Sequence, residues 1–261
     1  MTLRIAALYR YPLKGFSPER LDAVDLLPGQ TIAHDRAFAI ENGPSGFDPA
    51  APAHLPKIRF LMLMRNEAVA NIASRFDPAT RTLSFSEPGR APVVASVDTP
   101  EGRAAIEAWV SARFASDLRG APRFLEAPGH SFSDVAKKVL HVVNLATVRA
   151  IEEEIGRPVD PLRFRANLYL DGLPAWEELE LIGREFTVGG VRLEAVKRTV
   201  RCAATNVDPS TAARDMEIPR TIMGLRGHSD CGIYVEVKTP GRIAVGDAME
   251  LAPERQPELP L

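Results

Sequence analysis

The chain has 261 residues, of which 45% are hydrophobic and 25% are charged, a composition typical of globular proteins and not of disordered or fibrous ones. Its formal net charge of -2 gives no overall field that would attract nucleic acid or an anionic membrane, so we expect neither as a partner. The N-terminal apolar stretch is too short for a signal peptide and no later run reaches membrane-spanning length, which predicts a cytoplasmic protein.

The first half of the chain is predicted to form short strands, turns and two helices. Strand patterns bounded by turn residues occur over residues 3–11, 21–27, 37–40, 58–64, 82–86 and 93–97. Residues 42–57 contain too many glycines and prolines for a regular element and are interpreted as a surface loop. A short helix is expected over 67–76, and a longer one after Thr99, which can cap it. The apolar face of the longer helix contains Ile106, Trp109, Val110 and Phe114.

A stretch rich in glycine and proline over residues 118–136 is the best candidate for a boundary between two parts, which we place near residue 120. Beyond it the pattern predicts a strand over 139–143, a helix over 146–155 and strand-like segments to the end. The expected organisation is one domain over 1–120, a second over 121–255, and a tail over 256–261. The predicted class is mainly β with a few helices: a β-barrel-like second part after an α+β or β-barrel first part.

One segment carries two cations and an amide at alternate positions. In an extended strand over 163–170, Arg163, Arg165 and Asn167 would share one face and apolar residues the other. A guanidinium fork suits phosphate, and an amide can donate to and accept from a heterocycle edge, so this face could hold an anionic, nitrogen-rich ligand. A solvated strand face with surface arginines explains the same spacing equally well.

Two further cations, Lys14 and Arg36, each lie where a loop meets a predicted strand. Such junctions often hold ligand-binding groups. For a single lysine or arginine, however, a surface charge is the more common role.

The two cysteines are too few for a disulfide framework and are considered separately. Cys202 follows Lys197, Arg198 and Arg201, and this nearby positive charge should favour a thiolate. A thiolate on a loop could be a nucleophile or a soft metal ligand, and a buried packing role is the alternative for any lone cysteine. Cys231 is assigned to packing because it enters a predicted strand.

Three segments in the second part share their order and spacing with one protein family. They are Arg201-Cys202-Ala203-Ala204-Thr205-Asn206-Val207-Asp208-Pro209, the earlier Phe164-Arg165-Ala166-Asn167, and the later Gly241-Arg242-Ile243-Ala244-Val245-Gly246-Asp247. Together they resemble the MOSC domain, the C-terminal domain of molybdenum cofactor sulfurases. The first part, from Tyr11-Pro12-Leu13-Lys14-Gly15 to Asp35-Arg36-Ala37-Phe38, resembles the N-terminal β-barrel domain that accompanies MOSC in mitochondrial amidoxime-reducing components and their bacterial relatives.

The resemblance implies that Mo-molybdopterin is the cofactor and that Cys202 is both the catalytic residue and the protein ligand to molybdenum. The cofactor-binding residues expected from it are Lys14, Arg36, Arg163, Arg165, Asn167 and Arg201. Ser133 and Asp134 fall near a further segment that contacts the cofactor in the family. We do not expect pyridoxal phosphate to bind.

The chain also departs from the family pattern. Gly15 stands where relatives often have a serine after the lysine, and Val200 stands where a serine can precede Arg-Cys, which implies that two hydrogen bonds to the cofactor are missing. The chain has no Cys-x4-Cys-x2-Cys run of the kind that holds a plant-type iron–sulfur cluster. Electrons are therefore expected from a separate ferredoxin, flavin or cytochrome type of protein.

Three functional hypotheses remain open at this point. The first is a molybdenum-dependent oxidoreductase that removes oxygen from small N-hydroxylated substrates such as amidoximes and hydroxylamines. The second is a carrier or maturation protein that binds the cofactor, or holds a persulfide on Cys202 for transfer. The third is a binding module whose ancestral site is empty.

Overall fold

The computed structural model describes residues 2–251, and the tail predicted at 256–261 lies outside these described residues. Within residues 2–251 the α-helices are α1 (Pro100–Arg113), α2 (Leu145–Ile155) and α3 (Ile218–Arg226). The strands are β1 (Arg4–Arg10), β2 (Glu19–Leu21), β3 (Ala23–Leu26), β4 (Phe38–Ile40), β5 (Ala73–Asp77), β6 (Thr82–Ser86), β7 (Val93–Ser96), β8 (Phe124–Glu126), β9 (Leu140–Asn144), β10 (Leu168–Asp171), β11 (Glu185–Val188), β12 (Val191–Val200), β13 (Asp230–Val237), β14 (Gly241–Ala244) and β15 (Met249–Leu251). The predicted class, mainly β with a few helices, is confirmed.

Eight strands form one large sheet in the order β15-β11-β12-β13-β9-β10-β1-β2. Neighbouring strands in it are antiparallel except β9 and β10, which run parallel and are joined through α2, the crossover that a parallel pair requires. The Asn144 side chain caps α2 by accepting a hydrogen bond from the Ala146 amide, and Gly156 ends it in the left-handed conformation. One face of the sheet packs an aliphatic core that includes Leu168, Leu193, Ile233 and Val235.

The start of the chain is part of this sheet. β1 pairs with β10, which places Leu8 opposite Leu168, and β3 pairs with β14. Strands from residues 1–120 and from residues 121–255 therefore share backbone hydrogen bonds. Strand pairing continues across the division near residue 120 and therefore does not define the domain limits, which remain a prediction.

The remaining first half contains the three-stranded sheet β5-β6-β7, helix α1 and strand β4, which pairs with β8 of the second half. As predicted, the Thr99 side chain caps α1, accepting a hydrogen bond from the Gly102 amide at 3.1 Å. Ile106, Val110 and Phe114 are buried beneath the helix. Trp109 is only partly buried and stacks on Phe85, with 4.6 Å between the ring centroids.

The structure corrects the predicted secondary structure at residues 67–76, 58–64 and 218–226. The helix expected over 67–76 is a 3₁₀ turn at Glu67–Asn71 followed by β5, where pairing with β6 overrides the helical pattern. The strand expected over 58–64 is a 3₁₀ turn at Lys57–Arg59 followed by an irregular segment with one bridge between Glu41 and Phe60. Helix α3 lies where only strands were expected, and it buries Ile218 and Ile222, one helical turn apart.

Between residues 2 and 251, no helix combines the length and the apolar character that crossing a bilayer demands.

Candidate functional site

A polar cavity of about 280 Å³ lies where the two halves of the chain meet. Its walls come from the segments after β1 and β3, residues 57–64, strand β9, and the end of β12. The residues expected to bind the cofactor all line it, together with Cys202: Lys14, Arg36, Arg163, Arg165, Asn167 and Arg201. The fold thus collects at one place side chains that are widely separated in the sequence.

Lys14 is buried, and its ammonium group has two partners on the segment after β8. Its Nζ donates to the Phe132 carbonyl at 2.8 Å and to Asp134 Oδ1 at 2.5 Å. Burial lowers the pKa of Lys14, and the Asp134 carboxylate opposes this effect. Burial would raise the pKa of Asp134, but the charges of Lys14 and Lys57 together hold it below its usual range.

Arg36 and Arg165 both lie over the ring of Tyr11, with their guanidinium carbons 4.9 Å and 4.3 Å from its centroid. Burial raises the pKa of Tyr11 to about 12, and its neutral phenol donates to the Ala166 carbonyl at 3.2 Å. Arg36 pairs with Asp35, whereas Arg165 donates to the Phe16 carbonyl at 2.8 Å. Within residues 2–251, Arg165 therefore forms no ion pair.

The extended strand predicted over 163–170 is wrong for residues 163–167, and the strand begins only at Leu168, the first residue of β10. Pro161–Phe164 is a 3₁₀ turn capped by Asp160, and Arg165 follows in the left-handed conformation with φ 53°. The Tyr169 hydroxyl closes the turn, accepting from the Ala166 amide and donating to the Pro161 carbonyl. The alternation therefore does not place the three polar side chains on one strand face. A left-handed arginine is strained by roughly 1 kcal/mol or more, and Arg36 has the same conformation with φ 52°.

Asn167 is almost fully buried, and its side chain forms hydrogen bonds with the backbone of neighbouring strands. Its Oδ1 accepts from the His141 amide at 3.0 Å, and its Nδ2 donates to the Tyr9 carbonyl at 3.2 Å. The amide thereby ties β1 to β9 at the cavity wall. Its contact with a cofactor remains a prediction.

Arg163 is 2% exposed, and two carboxylates already neutralise its charge. Its Nη2 lies 2.9 Å from Asp208 and 2.8 Å from Asp215, and its Nη1 donates to the Asn206 carbonyl at 3.2 Å. These contacts fix the loop that follows Cys202. A cofactor-binding role for Arg163 stays a prediction, and its visible role is to hold this loop.

Arg201 and His141 form a second contact in the cavity wall, where His141 is buried and Arg201 is partly exposed. Arg201 donates to the Phe164 carbonyl at 2.6 Å, and its Nη1 lies 3.0 Å from His141 Nε2. Burial, reinforced by the charge of Arg201, lowers the pKa of His141 well below its usual value, so the ring is neutral. We therefore assign Nε2 as the acceptor, which leaves the Nδ1 proton facing the Arg165 carbonyl at 3.4 Å. The buried Nε of Arg201 has no hydrogen-bond partner within the described residues.

Cys202 lies two residues after the end of β12 and is partly exposed at the cavity wall. The Thr205 amide donates to its carbonyl at 3.1 Å, starting a 3₁₀ turn over Ala203–Asn206. Cys231, in contrast, is fully buried in a cluster with Val143 and Ile218, and burial raises its pKa. The two cysteines thus occupy different environments, and of the two only Cys202 reaches the cavity.

Two family models match consecutive parts of this chain. The MOSC N-terminal beta barrel domain covers residues 2–121, and the MOSC domain covers residues 127–250. The chain belongs to the MOSC family.

Known proteins similar to this MOSC chain include the molybdenum cofactor sulfurase of Drosophila erecta, 29% identical over 163 residues. That match covers 58% of the chain but only 19% of the sulfurase, so the chain spans about a fifth of this relative. Among solved structures, the YuaD protein from Bacillus subtilis has a TM-score of 0.46 and 16% identity, covering 96% of each chain. YiiM from Geobacillus stearothermophilus has a TM-score of 0.36 and 21% identity, covering 44% of this chain and 54% of that one.

The two departures from the MOSC pattern have different surroundings. Gly15 has φ 88°, and an added Cβ would lie 3.3 Å from the Leu61 carbonyl oxygen and from Met62 Cα. A serine there would be strained, so the glycine suits this backbone. Val200 is 67% exposed at the rim of the cavity and presents a methyl surface where a hydroxyl was expected.

Two parts of the MOSC site did not follow from the sequence. Lys57, in the segment interpreted as a surface loop, places its Nζ 3.3 Å from Cys202 Sγ and 3.6 Å from Asp134 Oδ2. The sequence around His141, on β9, contains no motif that marks a functional residue, but its side chain lines the cavity between Arg201 and Arg165. Both depend on long-range packing, so no local signal could have identified them.

Proposed function

We propose that this MOSC protein binds the molybdenum cofactor in the cavity, with Cys202 as the protein ligand to the metal. In this proposal it removes oxygen from small N-hydroxylated substrates, with electrons supplied by a separate electron-transfer protein. The observation that carries the proposal is the position of Cys202 at the cavity that Lys14, Arg36 and Arg165 also line. A partly exposed thiolate is a soft metal ligand, and convergent cations suit the phosphate of the cofactor.

The donor set fits such a cofactor in two respects. Arg165 has no ion-pair partner within residues 2–251, so its guanidinium is available to a phosphate. The buried Nε of Arg201 lacks an acceptor within the same described residues, and an orphaned donor beside a cavity indicates that a ligand belongs there. When bound, the cofactor would supply the redox chemistry at its metal.

The protein's own residues would bind the cofactor and orient it. Lys14, Arg36 and Arg165 hold the anionic end, and the stacking of both arginines on Tyr11 limits their rotation. The neutral His141 ring holds Arg201 in the wall next to Cys202. Val200, which is exposed, lies at the rim of the cavity.

The proposal is tested by producing the protein in a host that makes the cofactor and measuring molybdenum by elemental analysis. We expect close to one molybdenum per chain in the wild type and little in Cys202→Ala, because a methyl group cannot replace a thiolate ligand. With an artificial reductant, the wild type should reduce an amidoxime or a hydroxylamine and Cys202→Ala should not. Without reductant the wild type should be inactive.

Cys231→Ala is the matched control, because it removes the other thiol from a buried position. It should retain molybdenum and activity. A wild type that carries full molybdenum but reduces no N-hydroxylated compound would contradict the reductase assignment. A wild type without molybdenum would contradict the cofactor assignment itself.

The second candidate is a carrier that holds a persulfide on Cys202 for transfer to the cofactor. The partial exposure of Cys202 favours it, since a transferred sulfur must be accessible to both donor and acceptor. The similarity to a molybdenum cofactor sulfurase is consistent with this role. Sulfane sulfur released by cyanide from the wild type, but not from Cys202→Ala, in protein free of molybdenum would select the carrier.

A further inference from the structure

The cation that faces Cys202 comes from the other half of the chain. Lys57 Nζ lies 3.3 Å from Cys202 Sγ, and on its other side it lies 3.6 Å from Asp134 Oδ2. Asp134 in turn contacts Lys14 through its second oxygen. Lys57 is therefore the last member of a charged chain that runs from the buried Lys14 to the sulfur.

Two of the cations near Cys202 in the sequence, Arg198 and Arg201, are directed elsewhere. Arg198 donates to the Leu179 carbonyl and pairs with Glu180. Arg201 donates to the Phe164 carbonyl and contacts His141. The cation that contacts the sulfur is instead Lys57, 145 positions away in the sequence.

The backbone of Lys57 is anchored despite its position in a proline-rich segment. It opens the 3₁₀ turn Lys57–Arg59, whose end is fixed by a hydrogen bond from the Asn42 amide to the Arg59 carbonyl. The next residue, Phe60, is buried and bridges to Glu41. The lysine side chain, about one-third exposed, therefore extends from a fixed base toward the sulfur.

We propose that Lys57 is a positioning residue for Cys202: its ammonium group orients the sulfur and withdraws negative charge from it. Where the inference concerns a sulfur bound to a metal, it rests on the proposed function. The contact itself belongs to the protein alone. A hydrogen bond to a ligand atom tunes the metal behind it, so the N-terminal half would help to set the properties of a metal held by the C-terminal half.

The first test uses full-length protein made without the cofactor and measures the rate at which iodoacetamide alkylates Cys202 at neutral pH. Lys57→Met keeps the length of the side chain and removes the charge, whereas Lys57→Arg keeps the charge. The Lys57 ammonium group donates to the sulfur from 3.3 Å, and a methionine side chain cannot make this contact. We therefore expect the alkylation rate to change severalfold in Lys57→Met and to recover in Lys57→Arg.

Arg59→Met is the matched control, because Arg59 is an exposed cation on the same turn. Its alkylation rate should equal that of the wild type. Cys231 is buried and contributes no background. Equal rates in Lys57→Met and Arg59→Met would overturn the inference.

The second test uses molybdenum-loaded protein and the electron paramagnetic resonance spectrum of its partly reduced metal. Lys57→Met should alter the coupling from the Cys202 β-protons and lower kcat about tenfold with KM within threefold, because the change is at the sulfur and not at the substrate. Lys57→Arg should restore both. An unaltered spectrum and kcat in Lys57→Met would refute the positioning role. If Lys57→Met changes the alkylation rate but the wild type binds no molybdenum, the proposed function is refuted and the positioning role is not.

Discussion

Replacing Arg163 with methionine removes the cation that joins the loop after Cys202 to the rest of the fold. The guanidinium is 2% exposed, and it contacts Asp208 at 2.9 Å and Asp215 at 2.8 Å. Truncating one partner of a buried ion pair destabilises a protein by about 3–5 kcal/mol, because the remaining charge is left without compensation. The two carboxylates are 22% and 27% exposed and can regain some water, so we expect about 3 kcal/mol.

The assay is equilibrium unfolding in urea of protein without cofactor, so that ligand binding does not contribute to the measured stability. With a slope of about 3 kcal/mol per molar urea, the midpoint should fall by about 1 M. Arg157→Met is the control, since Arg157 contacts the same Asp215 from a position that is 45% exposed. A surface pair of this kind contributes about 0–1 kcal/mol, and its midpoint should shift by less than about 0.3 M.

A midpoint for Arg163→Met equal to that of the control would refute this reasoning. If molybdenum binding then fell while stability did not, the guanidinium would serve the cofactor, as the family resemblance implies. The expected result is the opposite: lower stability with a normal molybdenum content in the fraction that remains folded.

Three further predictions concern separate parts of the structure. Folding lowers the pKa of His141, so on acidification the unfolded state binds a proton at this residue before the folded state does. The free energy of unfolding should therefore fall as the pH drops below about 6.5. His141→Gln should remove about 1.4 kcal/mol of that loss at pH 5.5, as measured by urea unfolding. Arg214 donates to the Ala203 and Met64 carbonyls, so Arg214→Met should loosen the Cys202 loop and speed its proteolysis severalfold. The exposed Arg220→Met should not change that rate. Cys231→Ala should lower the unfolding free energy by about 1 kcal/mol without loss of molybdenum, which differential scanning calorimetry and elemental analysis would check.

The parts of the fold that were predicted correctly have strong local signals. Helix α1 combines a side-chain cap at Thr99, a proline in the first turn and an apolar face, all within one stretch of sequence. Helix α2 ends at Gly156, which adopts the left-handed conformation that glycine favours. In both helices the local preferences agree with the tertiary packing.

The incorrect predictions have equally specific causes. Alternation over 163–170 resembles a strand, but the cap of Asp160 and the hydroxyl of Tyr169 stabilise a 3₁₀ turn instead. A periodic pattern does not show which side chains will close a turn, even when, as with Tyr169, they lie within a few residues of it. Lys57 illustrates a different limit, because its contact with Cys202 spans 145 positions. The motif resemblance identified residues that line one cavity, whereas the partners of each side chain required the three-dimensional structure.

The pairing of β1 with β10 has a consequence for biosynthesis. On the ribosome, the first strand emerges long before its partner, and it must wait for Leu168–Asp171 before its backbone groups are satisfied. Such long-range pairing slows folding and leaves a strand edge open to other chains in the meantime. A second half produced alone would expose β10 as that open edge and would aggregate. Both halves therefore have to be made as one polypeptide, or added together during refolding, to give soluble protein.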